Sequence, residues 1–273
     1  MKKFFKKIRI IRRLYDAYVA FGYFNNKYYK IIKWAIVSNE NTNYTYKLTK
    51  KNQLELIKLF EGIFENSNFN QIKSYLEELE FDKEIRNYVK ESISVSKFKN
   101  FADLNVEFSR RLGWYICARL LKPKIIIETG VDKGLGAIIL IKALMKNQKE
   151  GYSGYYYGID INHEAGYLLK GAYKKYGEIL YGDSIESLKG FNLKIDLFIN
   201  DSDHSDQYEY KEYLTIKNKL SKEGIILGDN SHESDKLLNF SIENDRGYSF
   251  FKEEPLDHWY PGAGIGISYP RKK

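Results

Sequence analysis

An apolar run, Ile125-Ile126-Ile127, ends on a carboxylate, Glu128, and passes at once into a turn punctuated by glycines: Thr129-Gly130-Val131-Asp132-Lys133-Gly134-Leu135-Gly136. The next stretch, Ala137-Ile138-Ile139-Leu140-Ile141-Lys142-Ala143-Leu144, reads as a buried helix. A buried strand, a turn without large side chains and a helix form one unit of an open parallel sheet. Such sheets bind small ligands in the crevice at the carboxyl ends of their strands. Glycine in the turn lets the backbone approach a ligand with no Cβ in the way.

The same grammar continues after Phe101, where apolar runs alternate with helical patterns, which implies a mainly parallel sheet. Strands are expected at 124–128, 155–160, 178–181, 195–200 and 224–228, and helices at 108–121, near 135–147, 164–175, 184–189 and 207–220. The chain ends differently. Segments 248–252 and 264–269 read as strands with no helix between them, so they are expected to pair as an antiparallel hairpin across the turn holding Pro255 and Pro261-Gly262. The expected fold is therefore α/β, a Rossmann-like mainly parallel sheet with a C-terminal antiparallel hairpin, preceded by a helical N-terminal region. In that region residues 38–50 look like a polar loop or irregular strand, and 51–94 carry helical periodicity interrupted at Asn66-Ser67-Asn68 and Phe81-Asp82. A boundary near Asn100 divides the chain into an N-terminal region, 1–100, and a catalytic domain, 101–273.

The charge is unevenly placed. Residues 1–34 hold ten Lys or Arg against one acid, Asp16, so this segment carries +9 of a total of +8 and the remainder is close to neutral. Phe4, Ile8, Ile11, Tyr15 and Tyr18 share one helical face, with most of the basic residues off it. Such a helix either packs its stripe on its own domain or lies on an anionic membrane surface; nucleic acid is a third candidate partner. One cysteine, Cys117, excludes an internal disulfide and sits in an apolar helical context as a buried thiol. No apolar run reaches the about 20 residues of a membrane span, and the basic start lacks the apolar segment and cleavage site of a signal peptide. The expected location is cytoplasmic, peripheral to the inner membrane face if the first helix docks there. Self-association stays open.

The spacing of the turn narrows the ligand. A nicotinamide-binding turn needs G-x-G-x-x-G and an acid about 20 residues on. Here the glycines are Gly130, Gly134 and Gly136, and the next acid at a strand end, Asp160, follows Glu128 by thirty-two positions. A phosphate loop would need Gly-Lys-Ser/Thr, which is absent. The pattern E-x-G-x-x-x-G resembles instead the first motif of class I S-adenosylmethionine-dependent methyltransferases. That resemblance implies that the turn cradles the methionine end of the donor and that Glu128 holds its amino group, directly or through water. It further implies that Asp160, ending Tyr157-Gly158-Ile159-Asp160, accepts hydrogen bonds from the ribose hydroxyls, and that Asp183 and Ser184 in Gly182-Asp183-Ser184 meet the adenine. From the residues alone, Asp160 and Asp183 equally suit helix caps.

The fourth strand ends Phe198-Ile199-Asn200-Asp201-Ser202-Asp203-His204-Ser205, and the fifth ends Leu227-Gly228-Asp229-Asn230. Over about residues 104–273 this layout is similar to the metal-dependent O-methyltransferases of the catechol and caffeoyl-CoA types and of the macrolide-sugar and rhamnosyl types. In the sugar-modifying group the fourth-strand motif reads I-D-G-D-H-S or close to it. The resemblance implies Asp201, Asp229 and Asn230 as ligands of a divalent metal, Mg²⁺ by the chemistry of three oxygen donors with open positions, and a catalytic group of Asp201, Asp203 and His204. Two residues depart from the pattern: Asn200 stands for an apolar residue and Ser202 for glycine. The alternative is a metal-free site in which Asp201 orients the acceptor. His204 is either the general base or a cap of the following helix.

The function this implies is methyl transfer to a hydroxyl of a small-molecule or glycan acceptor, with a sugar hydroxyl favoured by D-x-D-H-S and by aromatics such as Trp259 and Tyr260. A phenol or catechol acceptor is the alternative, and a non-catalytic membrane- or partner-binding module the contrasting class. No N/D-P-P-Y/F motif follows the fourth strand and the positive charge is confined to one segment, which argues against nucleic-acid methylation.

Overall fold

Among the described residues, seven strands form one sheet: β1 (Ile125–Thr129), β2 (Tyr155–Asp160), β3 (Gly177–Tyr181), β4 (Ile195–Asn200), β5 (Leu220–Gly228), β6 (Arg246–Lys252) and β7 (Gly264–Pro270). Their order is β3-β2-β1-β4-β5-β7-β6. The first five run parallel; β7 lies antiparallel between β5 and β6. The chain steps outward through β2 and β3, then returns to the far side of β1 for β4. The reversal between β1 and β4 opens a crevice at their carboxyl ends, the place where a doubly wound sheet takes its ligand.

This computed structural model describes residues 32–33, 36, 46–97, 99, 105–256, 258, 260 and 262–271. The basic helix expected in 1–34, apart from residues 32 and 33, lies outside the described residues, as do Trp259 and the boundary at Asn100. No helix among the described residues is long and apolar enough to cross a membrane.

The central strands are mainly apolar because both faces are covered. Ile126, Leu197, Ile199, Ile225 and Leu227 point into one core cluster, and Ile127, Phe198 and Ile226 into the other, as a period of two requires; Ile195 joins the second cluster out of that alternation, where the β4–β5 register shifts. The first cluster also takes α4 (Arg111–Leu121), α5 (Leu135–Lys149) and the N-terminal helices α1 (Lys50–Ile63), α2 (Phe69–Glu80) and α3 (Lys83–Ser94). The second is closed by α6 (Ser184–Gly190), α7 (Asp206–Ile216) and α8 (Lys236–Glu243).

The interruptions read from the N-terminal sequence are helix caps: Asn68 accepts from the Gln71 N–H at 3.0 Å and Asp82 from that of Ile85 at 3.0 Å, each satisfying an otherwise unpaired donor. Asp82 also reaches Lys142 of α5 at 3.0 Å. The segment before α1 is tied to the end of the chain: Thr49 N–H donates to the Glu254 carbonyl at 2.9 Å, and Asn52 bonds both Lys252 and Glu254 backbones.

Two expectations change. No α-helix forms over 164–175. Gly166 and Gly171 adopt φ of +75° and +59°, and the segment turns back on the glycine turn, with Gly166 and Leu168 N–H groups bonded to the Asp132 and Lys133 carbonyls. Only a 3₁₀ turn at Tyr173–Lys175 remains. Conversely, α8 arises where no helix was expected, burying Leu237, Phe240 and Ser241 on one face.

Candidate active site

The tips of β1 to β5 open into one cleft of ≈ 750 Å³, within the range of about 300–1,000 Å³ typical of small-molecule sites. Gly130 forms part of its wall at φ +81°. A Cβ there would stand 1.9 Å from the Asp201 carbonyl oxygen, so only glycine lets the β1 turn press on the β4 tip. Gly134 and Gly136 lie behind the wall. Gly134 is the N-cap of α5, and the bare Cα of Gly136 leaves space for the Glu128 carboxylate.

Glu128 is also behind the wall, 2% exposed, and accepts a hydrogen bond from the Tyr156 hydroxyl at 2.6 Å. Burial lifts its carboxyl to about 7, against the pull of Tyr156 and Arg111. In this geometry Glu128 braces the turn from within and is not among the residues that line the cleft.

Asp160 is on the wall and knits two strand tips together. Its Oδ2 accepts from the Val131 and Asp132 N–H groups, both at 2.9 Å, and Oδ1 accepts from Asn162 N–H at 2.8 Å. Asp183 caps α6 through Glu186 N–H at 2.9 Å and accepts from the Tyr208 hydroxyl at 2.8 Å; these bonds hold its carboxyl below the usual range. Ser184 bonds Tyr208 at 2.9 Å and donates to Glu212. Both Asp183 and Ser184 line the cleft, so the capping role and a ligand-facing position coexist.

Glu212 was not expected in the site. It is fully buried beneath it and accepts from Thr129 Oγ1 at 3.1 Å, from Ser184 and from the Asn200 amide. Burial raises its carboxyl to about 7, opposed by these donors and by Ser202. One of the two departures in the fourth-strand motif thus has a physical reason: Asn200 supplies a donor to a carboxylate that an apolar residue would leave less satisfied.

Asp201, Asp203, His204, Asp229 and Asn230 all reach the cleft. His204 does not cap α7; that position is Ser205, which makes no side-chain cap bond. Its Nδ1 bonds the Asn230 amide oxygen. Since that oxygen only accepts, Nδ1 is the donor, and in the neutral imidazole the lone pair is then on Nε2. Asp203 accepts from Ser205 N–H at 2.7 Å on the exposed rim.

Arg110 and Arg111, at the start of α4, are the functional residues that sequence reasoning missed. Arg110 is 8% exposed. Its Nε and Nη2 both engage the Asp229 carboxylate, Nη2 to Oδ2 at 2.9 Å, and Nη2 stands 3.9 Å from Asp201 Oδ2. Burial alone would lower the pKa of this guanidinium; Asp229, Asp201 and Glu253 more than reverse that. The Asp201 carboxyl is raised, by burial first and by Asp229 next, with Arg110 and Arg111 opposing. Glu253, buried behind them, accepts from Tyr46 at 2.7 Å and from Ala263 N–H at 3.2 Å.

The expected metal ligands are therefore brought together, yet they do not fit a divalent ion. Asp229 gives both oxygens to a guanidinium, Asn230 gives its oxygen to His204, and a fixed cation already stands beside Asp201. Among the described residues no cluster of three or more His, Cys, Asp or Glu has the geometry to hold a metal.

Residues 127–231 match the family model described as a methyltransferase domain. Among solved structures, a methyltransferase from Geobacter sulfurreducens is similar at 16% identity, covering 74% of this chain and 96% of its own, with a TM-score of 0.50. A Podospora anserina methyltransferase in its SAH-bound form gives 16% identity, coverages of 74% and 95% and a TM-score of 0.50. An O-methyltransferase of tomaymycin synthesis from Streptomyces achromogenes, in complex with SAM, gives 12%, 83%, 100% and 0.51 for the same measures. At these identities the likeness establishes the fold. No curated protein matches the chain.

Proposed function

Given a methyltransferase domain at residues 127–231, we propose that this chain is an S-adenosylmethionine-dependent O-methyltransferase acting on a sugar hydroxyl of a glycan, glycolipid or glycosylated metabolite. The observation that carries the reading is the meeting of five strand ends in one cleft, with Asp160 and Asp183 on one side and His204 and Asp201 on the other. The ligands of the Podospora and Streptomyces relatives support the choice of donor.

The first half suits the donor. The Asp160 carboxylate keeps accepting capacity for ribose hydroxyls beyond its three backbone bonds, because two ionised oxygens have about four lone-pair sites. Gly182, Asp183 and Ser184 line the β3 end of the cleft beside it. Bound there, S-adenosylmethionine supplies a methyl group on a sulfonium, so that transfer to a hydroxyl oxygen leaves a neutral thioether and one proton to be removed.

The second half suits the acceptor. His204 takes that proton at Nε2, its Nδ1–H being held by Asn230. Asp201, on the wall beside it, orients the acceptor hydroxyl by accepting from it or from its neighbour. The rim beyond is polar, with Asp203, His232 and Glu233, and Tyr260 adds an aromatic ring. Several hydrogen-bonding groups beside an aromatic ring match a polyhydroxylated acceptor better than a flat phenol, which calls for an apolar slot. Alignment of oxygen, methyl carbon and sulfur is itself worth roughly 7–11 kcal/mol in favourable cases.

The test is incubation of the full chain with isotopically labelled donor and a panel of glycans, glycolipids and catechols, read by mass for the gain of one methylene. Transfer to a sugar hydroxyl supports the reading and transfer confined to catechols replaces its acceptor. Absence of any transfer together with absence of donor binding by calorimetry sinks it.

A further inference from the structure

We infer that Arg110 is the built-in cation of this site, seated where a divalent ion would otherwise bridge Asp201 and Asp229, and that the chain works without such an ion. The inference rests on the methyltransferase reading of the cleft and specifies its acceptor side.

Three geometric facts carry it. The guanidinium engages Asp229 through two nitrogens and lies within 4 Å of Asp201, so it spans the two carboxylates that a metal would have to share. It enters from the start of α4, an element packed into the main core, with neighbouring Leu112 and Trp114 fully or almost fully buried. The cation is therefore part of the fold and not a mobile surface arginine. Finally, Arg111 also lines the cleft, so the two residues together bring the two positive charges that a divalent ion would bring.

Chemically the exchange is coherent. A guanidinium offers a planar fork matched to a carboxylate and stays protonated at any working pH. It neutralises Asp229 and leaves Asp201 as the group facing the acceptor. Removing one partner of such a buried pair leaves the other uncompensated. Deleting Arg110 would leave two carboxylates and the Asn230 amide, the oxygen donor set that a hard divalent ion takes, side by side with only Arg111 to offset them.

The experiment is a Mn²⁺ titration of the metal-stripped full chain and of Arg110→Ala, followed by calorimetry and by the thermal midpoint. The wild type is expected to show no saturable Mn²⁺ heat and no shift in Tm. Arg110→Ala is expected to acquire both, and Asp229→Asn added to it to lose them again. Saturable Mn²⁺ binding by the wild type, abolished by Asp229→Asn alone, overturns the inference. So does a folded Arg110→Ala that binds no Mn²⁺. Should Arg110→Ala fail to fold, the wild-type titration decides alone. Methyl transfer in EDTA is scored separately: unchanged turnover agrees, and loss of turnover restored by Mg²⁺ overturns. Donor binding enters neither metal titration, so a failed methyltransferase reading is seen independently.

Discussion

Replacing Glu128 with Gln should flatten the pH dependence of stability between pH 4.5 and 8. In the folded chain burial holds the Glu128 carboxyl at about 7, whereas the ordinary value is 4.5. The group is 2% exposed, so solvent does little to screen the effect. The sign follows from proton binding. Below pH 4.5 the carboxyl is protonated in both folded and unfolded chains and costs nothing. As pH rises from 4.5 through 7 the unfolded chain ionises first, and stability is lost until both forms are ionised. Raising a carboxyl from 4.5 to about 7 corresponds to ~3 kcal/mol. A glutamine cannot ionise, and its amide oxygen still accepts from Tyr156. Urea denaturation of wild type and Glu128→Gln at several pH values, followed by tryptophan fluorescence, measures the difference directly. Glu212, also raised to about 7, titrates in both proteins and cancels; Glu150, held at about 2 by Arg119, lies outside the window. The stability of the variant relative to wild type should rise by ~3 kcal/mol across the range. A difference that stays constant within about 0.5 kcal/mol, the usual scatter of surface substitutions, would refute the reasoning that Glu128 is a buried brace.

Asp160→Ala should weaken donor binding by about 100-fold, since hydrogen bonds to a charged acceptor are each worth about 1.5–3 kcal/mol; an unchanged dissociation constant by calorimetry contradicts its assignment. His204→Ala should lower kcat by about 10²–10³-fold with donor affinity intact; an unchanged kcat contradicts its role as the base. Gly130→Ala should destabilise the fold by more than about 2 kcal/mol in thermal unfolding, because φ of +81° strains any L-residue by about 1–2 kcal/mol and the new methyl would also strike the Asp201 carbonyl.

Strand ends were legible because each is a short apolar run stopped by an acid: β1, β2, β4 and β5 start or end within a few residues of the positions that periodicity gives, and β7 and β6 pair antiparallel as the missing helix between them demands. The stretch 164–175 was not, because its apolar spacing suits a helix while Gly166 takes φ of +75° and bonds the Asp132 carbonyl of the glycine turn, a tertiary requirement, and Gly171 at +59° interrupts the helical path again. The buried charges were the harder part. Glu209 and Glu212 sit on α7 among Tyr, Lys and Asp, a composition that reads as a solvated face, yet both are 0% exposed. Arg110 and Arg111 did leave a trace. Two arginines open α4, where the positive end of the helix dipole disfavours cations, and they precede an apolar stretch that is buried almost residue by residue. A charge placed against the dipole and next to a core needs a nearby anion, and in this chain the candidate anions are the carboxylates at the strand tips. The local conflict, read that way, points from the helix start to Asp229 across 119 positions of sequence. What the sequence withholds is only which of the strand-tip acids closes the pair, because that depends on the register in which β1, β4 and β5 bring their ends level.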